Sequence, residues 1–418
     1  MAEQNFDAII IGAGAAGLYC AAMAGQRGRR IMIIDHSDEP GKKILISGGG
    51  RCNFTNMHTS ADRYISANPH FAKSALGRHG PQAFIDLVDA HGIAWHEKTL
   101  GQLFCDGSAK QIVAMLLAEC AKAAASGGEV THCYGAPVDA VTHADGVYRV
   151  TVGGRIATAP RLVVASGGLS IPKLGASGFA YDLARQFGLK VVEPRPALVP
   201  LTLGGDETLF RELSGVAAPV EARAGFAIDK KGGEKKGGDK KDGAKARAKF
   251  REAALFTHRG LSGPAILQAS SYWRNGEKVA IDFLPDLGGD WLVEAKAARP
   301  LSTMRAVLAQ HLPDRLAEVL ADRLGCTGEL GAQGDKALRA AAANLSNWAF
   351  HPNGSEGFAK AEVTIGGIST AELSSQSLEA RRMPGFHAIG ESIDVTGWLG
   401  GYNFQWAWAS GWAVAQAL

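Results

Sequence analysis

The stretch that decides the fold is residues 6–35, which read FDAIIIGAGAAGLYCAAMAGQRGRRIMIID. The apolar run from Phe6 to Ile11 predicts a buried parallel strand, because such strands are short, continuous and rich in β-branched residues. An Ala-rich helix to about Arg27 and a second apolar strand, Arg30 to Ile34, should follow. Together these elements predict a βαβ unit, which is typical of an α/β fold.

A glycine turn joins the first strand to the helix and matches the pattern G-x-G-x-x-G. Gly12 permits the tight turn, Gly14 lets the backbone approach a pyrophosphate, and Gly17 lets the helix pack closely on the strand. Ala15 and Ala16 open the helix, whose free N–H groups and positive dipole end face the phosphates. In this strand–turn–helix context the pattern predicts a dinucleotide site.

Asp35 ends the second strand, about 20 residues after the middle glycine, where an acidic side chain can bind the ribose hydroxyls of a dinucleotide. The alternative is a glycine-rich turn without a ligand, which the register of strand, helix, strand and acid disfavours. The pattern alone does not separate FAD from NAD. Its position near the start of the chain and the stretch at 41–56 favour FAD.

That second stretch, GKKILISGGGRCNFTN, occupies residues 41–56, of which 42–56 are predicted to form a structured loop. Three consecutive glycines allow close backbone approach to a flat or anionic ligand. Basic side chains add positive charge, and the asparagines add directional hydrogen bonds. A plain surface loop is the alternative. The predicted cofactor contacts are Lys42, Lys43, Ser47, Gly48, Gly49, Arg51, Cys52 and Asn53.

Four motifs are similar, in the same order, to those of the HI0933-like (YhiN) family of FAD-dependent oxidoreductases. They are KKILISGGGRCNFTN at 42–56, SGGLSIP at 166–172, TIGGI at 364–368, and a tail from Gly390-Glu391 through Asp394 to GGYNFQWA at 400–407. The resemblance covers residues 1 to about 200 and 350–418. It implies that both ends of the chain build a Rossmann-type FAD-binding domain around a β-rich and helical insertion.

The tail also has a physical interpretation. Gly400 and Gly401 open a predicted C-terminal helix, whose N-terminus, aimed at the flavin pyrimidine, would stabilise the anionic reduced ring. Asn403 and Gln405 could hydrogen-bond the same edge. The alternative is a helix that only packs. We interpret the tail tryptophans as core, and the glycines and amides as ligand contacts.

The resemblance implies further cofactor contacts along the chain. By analogy, a residue before the strand at 147–152 contacts the adenine through its backbone. The full set outside the first two loops is Val138, Ser166, Gly167, Gly168, Gly390, Glu391, Asp394, Gly400, Gly401, Tyr402, Asn403 and Gln405. Two departures stand out. Asp35 replaces the glutamate of many members, and Gly397-Trp398-Leu399 stands where many members have smaller or polar residues before the double glycine, which could reshape the pocket over the flavin.

Cys52 is the cysteine in the polar, basic, glycine-rich setting. Arg51 beside it should depress the pKa of the thiol, which makes Cys52 a candidate catalytic acid or redox-active group near the flavin. The alternative, which we favour, is a small residue packed beneath the flavin ring.

Composition changes at Pro194-Arg195-Pro196 and predicts the domain organisation. Residues 1–194 and 350–418 should form the FAD-binding domain. Residues 195–349 should form an inserted substrate or cap domain, β-rich at about 195–285 and helical at about 290–346. Within it, the low-complexity segment at about 229–249 is predicted to be a disordered basic loop, because it cannot bury apolar surface.

The basic loop concentrates positive charge in a chain whose net charge is only +3. Its lysines could bind RNA phosphates, but it has no aromatic residue before Phe250 on which bases could stack. The alternative, which we favour, is a solvated insertion that adds solubility.

The six cysteines form no C-x-x-C pair and have no metal-ligand spacing with histidine, so we expect reduced thiols and no metal. The N-terminus has no signal-peptide pattern, and no apolar stretch is long enough to span a membrane. These features predict a bacterial-type cytoplasmic protein without membrane contact. They leave the oligomeric state open.

The leading functional hypothesis is an FAD-dependent oxidoreductase that NADH or NADPH reduces transiently and that passes hydride from flavin N5 to a small molecule or an RNA base. The insertion has no second G-x-G-x-x-G after a strand and no C-x-x-x-x-C pair, which disfavours a disulfide reductase. Some members of the resembling family reduce a uridine in ribosomal RNA, so dihydrouridine synthesis is one alternative. A flavin-stabilised RNA-binding or assembly factor without turnover is another.

Overall fold

The computed structural model describes residues 3–224 and 248–418. The predicted basic loop at 229–249 therefore lies, apart from its last two residues, outside the described residues. The chain forms two compact units. One comprises Met1–Pro196 and Val363–Leu418, and the other comprises Ala197–Glu362.

The strands and helices follow the chain in this order. The strands are β1 (Glu3–Asn5), β2 (Ala8–Ile11), β3 (Arg30–Ile34), β4 (Asn53–Asn56), β5 (Tyr64–Ile65), β6 (Trp95–Glu97), β7 (Gln102–Cys105), β8 (Glu129–Cys133), β9 (Val138–Ala144), β10 (Val147–Val152), β11 (Arg155–Ala159), β12 (Leu162–Val164), β13 (Val191–Ala197), β14 (Leu201–Thr202), β15 (Ala217–Ala224), β16 (Phe250–Thr257), β17 (Gly260–Ser262), β18 (Val279–Asp282), β19 (Trp348–Phe350), β20 (Gly354–Ser355), β21 (Val363–Ile368), β22 (Phe386–Ala388) and β23 (Thr396–Gly397). The helices are α1 (Ala15–Gly25), α2 (Lys42–Ile46), α3 (Lys73–Arg78), α4 (Pro81–Ala90), α5 (Ala109–Ala121), α6 (Phe179–Gln186), α7 (Pro264–Ser270), α8 (Trp291–Ala298), α9 (Met304–Leu308), α10 (Asp314–Leu324), α11 (Asp335–Leu345) and α12 (Tyr402–Ala417).

The first unit is built on a parallel sheet in the order β22-β12-β2-β3-β8. Strands β2 and β12 are wholly buried runs of Ala, Ile, Leu and Val, as expected for a sheet covered on both faces. Helix α1 packs against α12 and α5. The crossing with α12 is close because Gly411 has no side chain, and a methyl group there would lie 2.8 Å from the Ala16 carbonyl oxygen.

This sheet confirms the α/β class and the Rossmann-type domain that residues 6–35 predict. The strands are parallel, so the segments that follow β2, β3, β12 and β22 all emerge at the same edge of the sheet. Those segments carry the glycine turn, Asp35, the SGGLSIP motif and Gly390-Glu391. The topology thus brings together motifs from both ends of the chain.

The prediction of a loop at 42–56 is wrong. The stretch contains helix α2, a short 3-10 turn over Ser47–Gly50 and strand β4. Strand β4 forms because it pairs antiparallel with β7, which in turn pairs with β6. Ile44 and Phe54 are fully buried and anchor the stretch. Its strand partner lies far along the chain, so local composition could not reveal the pairing.

The second unit holds an antiparallel sheet in the order β19-β18-β15-β16-β17-β14-β20 and helices α7 to α11. The predicted boundary at 349/350 needs correction. Strand β20 pairs with β14, so residues 351–362 remain in the second unit as far as Glu362. No helix among the described residues is long and apolar enough to cross a membrane.

Candidate functional site

The glycine turn after β2 has the shape that a dinucleotide requires. Gly12 has φ of 114°, and a methyl group there would collide with the Ala165 carbonyl. A methyl group on Gly17 would collide with the Gly12 carbonyl, so this glycine sets the close approach of α1. No atom lies within 4 Å of the position that a side chain on Gly14 would take. The turn is therefore tight against the protein at two glycines and open at the third, where a pyrophosphate needs room.

Asp35 lies at the end of β3 and braces the glycine turn. Its carboxylate accepts hydrogen bonds from the N–H groups of Ala13 at 2.6 Å and Ser37 at 2.8 Å. Each bond uses a different carboxylate oxygen, so each oxygen keeps a lone pair. The ribose contact of Asp35 stays a prediction.

Ser166 carries the clearest mark of a ligand site. It follows β12 beside Gly12, and its hydroxyl oxygen is buried without a hydrogen-bond partner among the described residues. Buried hydroxyls are normally satisfied, because an unpaired one loses its hydration without compensation. Together with the open backbone at Gly14, this hydroxyl fits the phosphate and sugar oxygens of FAD.

Gly167 and Gly168 continue from Ser166 with different surroundings. Gly167 has φ of 77°, and no atom lies within 4 Å of the place that a methyl group on it would occupy. A methyl group on Gly168 would lie 2.6 Å from the Thr364 hydroxyl and 3.0 Å from the Glu391 carboxylate. Gly168 is therefore a packing position, whereas Gly167 faces open space.

Lys43 and Glu391 form the charged centre of the site. The Lys43 ammonium group donates to Glu391 Oε2 and to Ser170 Oγ, both at 2.6 Å. Ser170 Oγ donates to Glu391 Oε1 at 2.9 Å, and the Thr364 N–H donates to the same oxygen at 2.9 Å. The positive charge of Lys43 is thus largely matched by Glu391 within the protein.

Sequence reasoning missed Ser170 and Thr364 as members of this network. Thr364 Oγ1 also accepts the N–H groups of Leu169 at 2.9 Å and Ser170 at 3.2 Å. Both polar residues stand inside the SGGLSIP and TIGGI motifs, where a buried hydroxyl among apolar and glycine residues is the signal that could have identified them.

The three glycines that follow Ser47 in the turn after α2 all have a left-handed backbone conformation. Gly48, Gly49 and Gly50 have φ of 56°, 67° and 85°, values that strain any other residue. A methyl group on Gly48 would lie 2.8 Å from the Phe104 ring, while a methyl group on Gly49 would have no atom within 4 Å. The loop therefore offers its backbone to solvent or ligand at Gly49.

The polar residues around this loop divide into two groups. The Ser47 hydroxyl donates to the Ile44 carbonyl at 2.7 Å and so stabilises the end of α2. Lys42, 3.5 Å from Asp38, and Arg51 are both exposed to some degree and could turn toward an anion. Their contacts with a cofactor stay predictions.

The expectation of a low pKa for Cys52 is wrong. The Cys52 side chain is fully buried, and the backbone at this residue has a φ of 54°. Burial raises the pKa of the thiol to about 12, a hydrogen bond with Ser47 lowers it slightly, and Cys105 raises it. Arg51 is exposed and does not counter the burial. Cys52 is a neutral, buried residue, and its place beneath a flavin ring stays a prediction.

The expected ligand contact of Gln405 also needs correction. Its side chain is fully buried, its carbonyl oxygen accepts the Thr55 hydroxyl at 2.6 Å, and its amide nitrogen donates to the His79 carbonyl at 2.9 Å. Trp406 and Trp408 beside it are core, as predicted. Both polar ends of the Gln405 side chain are therefore bound within the protein.

Asn403 and Asn53 likewise bind backbone groups of the protein. Asn403 accepts the Gly397 N–H at 2.8 Å and donates to the Gly397 and Trp398 carbonyls at 2.9 and 3.3 Å. Asn53, with its amide oriented to satisfy both ends, faces the Gly401 N–H at 3.2 Å. Both amides fix the tail loop, which corrects the prediction that they serve chiefly as ligand contacts.

The start of α12 is closely packed against the protein, and its contact with a ligand stays a prediction. Gly400 and Gly401 have φ of 104° and 93°, and methyl groups there would strike Gln102 and the Thr55 carbonyl. The helix that follows has 16 residues and presents the positive end of its dipole at Tyr402. Tyr402 itself is buried.

The remaining predicted residues have clear positions. Gly390 lies against Ala16, since a methyl group there would be 2.9 Å from the Ala16 side chain. Asp394 is buried and accepts the Ala67 N–H at 2.8 Å. Val138 begins β9 and pairs with Val152. No group of three or more His, Cys, Asp or Glu residues that could hold a metal occurs in the described part of the chain.

Comparison with known proteins agrees with this geometry. The family described as HI0933-like protein Rossmann domain matches residues 6–417. The ribosomal RNA dihydrouridine synthase of Escherichia coli (strain K12) is 50% identical over 421 residues, which cover 99% of this chain and 98% of the relative. The Haemophilus influenzae protein of the same name is 41% identical over 428 residues, covering 100% and 99%. The 3-dehydro-bile acid delta(4,6)-reductase of Clostridium scindens is 27% identical over 428 residues, covering 98% of each.

The family match spans nearly the whole chain, including both segments of the first unit. It confirms the resemblance carried by the four motifs, and the open turn at Gly14 and the unpaired Ser166 hydroxyl suit the family's cofactor, FAD. The chain therefore belongs to the HI0933-like family of Rossmann-fold, FAD-dependent oxidoreductases.

Proposed function

We propose that the protein reduces a uridine of ribosomal RNA to dihydrouridine. The observation that carries the proposal is the 50% identity, over 99% of the chain, to a protein named ribosomal RNA dihydrouridine synthase. A second relative with this name is 41% identical, whereas the bile acid reductase is 27% identical. Of the two acceptor classes that the sequence suggests, this gradient favours an RNA base over a small molecule.

Reduction of uridine adds a hydride to C6 and a proton to C5 of the uracil ring, so the C5=C6 π bond is lost and two electrons are gained. We infer that NADH or NADPH supplies the hydride in a transient encounter and is oxidised, one molecule for each uridine. When FAD is bound, it relays the hydride between donor and uracil.

The chain's own residues would hold FAD by its two ends. The open backbone at Gly14 and the N-terminus of α1 suit the pyrophosphate. The unpaired hydroxyl of Ser166 can donate to a phosphate or ribityl oxygen nearby. Asp35 can accept a ribose hydroxyl on the lone pairs that Ala13 and Ser37 leave free.

Glu391 and the start of α12 suit the flavin half of the cofactor. Glu391 is held by Lys43 and Ser170 and can accept from the ribityl hydroxyls. The positive end of the α12 dipole, at Gly401, would stabilise negative charge that develops on the pyrimidine edge.

The sequence also contains a positively charged segment that could take part in RNA recognition. The lysine-rich segment at 229–249 could bind RNA phosphates, whereas its sequence alone favours a solvated insertion. A ribosomal RNA substrate also supports the predicted cytoplasmic location. Removal of residues 230–249 decides between the two interpretations. If the segment binds RNA, the shortened protein should have a weaker and less salt-sensitive affinity for RNA than the full-length protein.

The test begins with the purified protein. Flavin released by heat should chromatograph as FAD, and anaerobic mixing with NADH or NADPH should bleach it. The reduced protein is then given ribosomal RNA from a strain that lacks the homologous gene, and dihydrouridine is measured by nucleoside mass spectrometry. A protein that reduces steroid-type enones but leaves this RNA unchanged would contradict the proposal, as would one that binds RNA without oxidising NAD(P)H.

A further inference from the structure

Two large apolar side chains are exposed on neighbouring backbone segments. Met57 is 45% exposed and Leu100 is 58% exposed. The Met57 N–H donates to the Gly101 carbonyl at 2.8 Å, so β4 and the turn between β6 and β7 hold the two residues together. A single exposed leucine needs no explanation, but a neighbouring pair at a fixed spacing suggests a partner.

Leu100 is also held in an unfavourable backbone conformation. Its φ is 53°, a region that side chains other than glycine rarely occupy. The turn is fixed from both sides, because Gly101 donates to Glu97 at 3.0 Å and Asn56 donates to the Leu100 carbonyl at 3.1 Å. The surrounding hydrogen bonds thus hold this leucine in place despite the strain.

The same asparagine joins this pair to the tail. Asn56 is buried, and its amide also donates to the Gly400 carbonyl at 2.8 Å. Gly400 packs directly on the Gln102 side chain. The loop before α12 therefore lies next to the Leu100 turn, within the same compact unit.

That loop contributes an aromatic ring covered by a cation. Trp398 is partly exposed, and the Arg63 guanidinium lies 4.4 Å from the centre of its ring. The Trp398 N–H donates to the Arg63 carbonyl at 3.0 Å, which fixes the pair through the backbone as well. We name Met57, Leu100, Trp398 and Arg63 the wedge surface.

Basic side chains that can contact phosphates lie around the wedge surface. His58, Arg51 and Lys98 are exposed on the same small sheet, β4-β7-β6, or directly beside it. Acidic groups lie there as well: Glu97 accepts a backbone N–H, Asp62 accepts the Ser60 hydroxyl and lies 3.8 Å from Arg63, and Asp106 lies 2.6 Å from the His96 Nδ1 atom.

We propose that the wedge surface docks a folded RNA segment and unstacks the uridine that is reduced. This inference rests on the proposed function. A base inside a folded RNA cannot lie flat on a flavin until it leaves its stack. Leu100 and Met57 are of the type that proteins insert into a vacated base step. The Trp398–Arg63 pair offers the planar surface on which an unpaired base stacks, and Arg63 adds charge toward the phosphates.

The test compares the double variant Leu100→Gly/Met57→Ser with the wild-type holoenzyme. Both side chains are exposed, and glycine relieves the strain at residue 100, so melting temperature and FAD content should be retained. The substrates are a folded ribosomal RNA fragment that wild type reduces and an unstructured oligonucleotide with the same uridine. We expect dihydrouridine formation to fall at least tenfold on the folded fragment and less than threefold on the oligonucleotide.

A second readout is independent of turnover. With 2-aminopurine next to the target uridine, binding of wild type should raise the fluorescence because the bases unstack, and the double variant should bind with a smaller rise. Leu301→Ala, at a leucine that is 77% exposed in the other unit, is the matched control and should behave as wild type.

The outcomes separate the two proposals. If wild type forms no dihydrouridine in any RNA, the proposed function fails. If wild type does so and the double variant equals it in rate and fluorescence on the folded fragment, the wedge role is overturned and the surface serves a protein partner instead. Equal losses on both substrates would also overturn it, because unstacking is needed only for the folded one.

Discussion

At the scale of single residues, the site depends on where a side chain is absent. Gly12 and Gly17 are pressed against backbone carbonyls, whereas no atom lies within 4 Å of the position that a methyl group on Gly14 would take. A methyl group is therefore excluded by the protein at the first two positions and only by a ligand at the third. Gly14 thus allows a test of cofactor binding that does not disturb folding.

Gly14→Ala should fold normally but bind FAD at least tenfold more weakly, because its methyl group occupies the space of the pyrophosphate. FAD affinity is measured by fluorescence titration of the apoprotein. Gly334→Ala is the matched control, since a methyl group on that glycine would also have no atom within 4 Å. Unchanged FAD affinity in Gly14→Ala would place the pyrophosphate elsewhere.

Cys52→Ala should retain turnover within about threefold, because the buried thiol, with its pKa raised to about 12, stays protonated across the working range of pH. For the same reason the native protein should show no fast alkylation of Cys52 by iodoacetamide at pH 8, as judged by peptide mass spectrometry. A hundredfold loss of rate in a variant that still binds FAD would restore Cys52 as a catalytic candidate.

At the scale of elements, the site is held by polar contacts that join distant segments. Lys43 of α2 meets Glu391 after β22, and Gln405 of α12 meets Thr55 of β4. Each pair lies more than three hundred residues apart in sequence. Such contacts make cofactor binding and the stability of the first unit depend on each other.

Lys43→Met should lower the free energy of unfolding by about 1 to 2 kcal/mol, because it leaves the largely buried carboxylate of Glu391 without its cation. Glu391→Gln alone should cost a similar amount. Urea denaturation of both single variants and the double variant gives the coupling energy. Additive effects would show that the 2.6 Å contact contributes nothing to folding.

His79 should make the first unit sensitive to acid. Its ring lies against Trp412 and within 2.9 Å of the Tyr19 hydroxyl, and burial lowers the pKa to about 4. The unfolded chain binds a proton near pH 6.5, so stability is complete above that pH and falls as the pH drops toward 4. The loss is about 2 to 3 kcal/mol.

This titration is checked by urea denaturation at pH 7 and pH 5. His79→Gln should flatten the difference between the two pH values, because glutamine can still accept from Tyr19 but does not titrate. His258→Gln, at an exposed histidine, should leave the difference as in wild type. An equal difference in stability between pH 7 and pH 5 in all three proteins would assign the acid sensitivity to other groups.

At the scale of the whole molecule, FAD would contact segments from both ends of the chain. The segments after β2, β3, β12 and β22 meet at one edge of the parallel sheet, and α12 closes the same unit. A ligand that binds only this assembled edge must stabilise the folded state.

Removal of FAD should therefore lower the melting temperature, and added FAD should restore it in proportion to the logarithm of its concentration. The gain is about 2.7 kcal/mol at a hundred times the dissociation constant. FMN is the control, because it lacks the adenylate half that the Gly12–Gly17 turn is expected to hold. Recovery with FMN equal to that with FAD would contradict this arrangement.

The sequence by itself determined the α/β class, the Rossmann-type domain and the family. Residues 6–35 suffice because a strand, a glycine turn and a helix are specified by neighbours along the chain, through apolar periodicity and the conformational freedom of glycine. The family motifs add to this because each is a local pattern that does not require knowledge of its partner.

Only the tertiary structure decided how the polar residues are used. Gln405, Asn403 and Cys52 have residue types that suit a flavin, yet Cys52 is buried, Asn403 is bound by the backbone of its own loop, and Gln405 is bound by a segment distant in sequence. The strand at 53–56 likewise exists because β7 pairs with it. Some polar atoms form hydrogen bonds within the protein, and others, such as the Ser166 hydroxyl, have no partner among the described residues and can bind a ligand. Which of the two applies depends on packing across the whole unit, which no local pattern encodes.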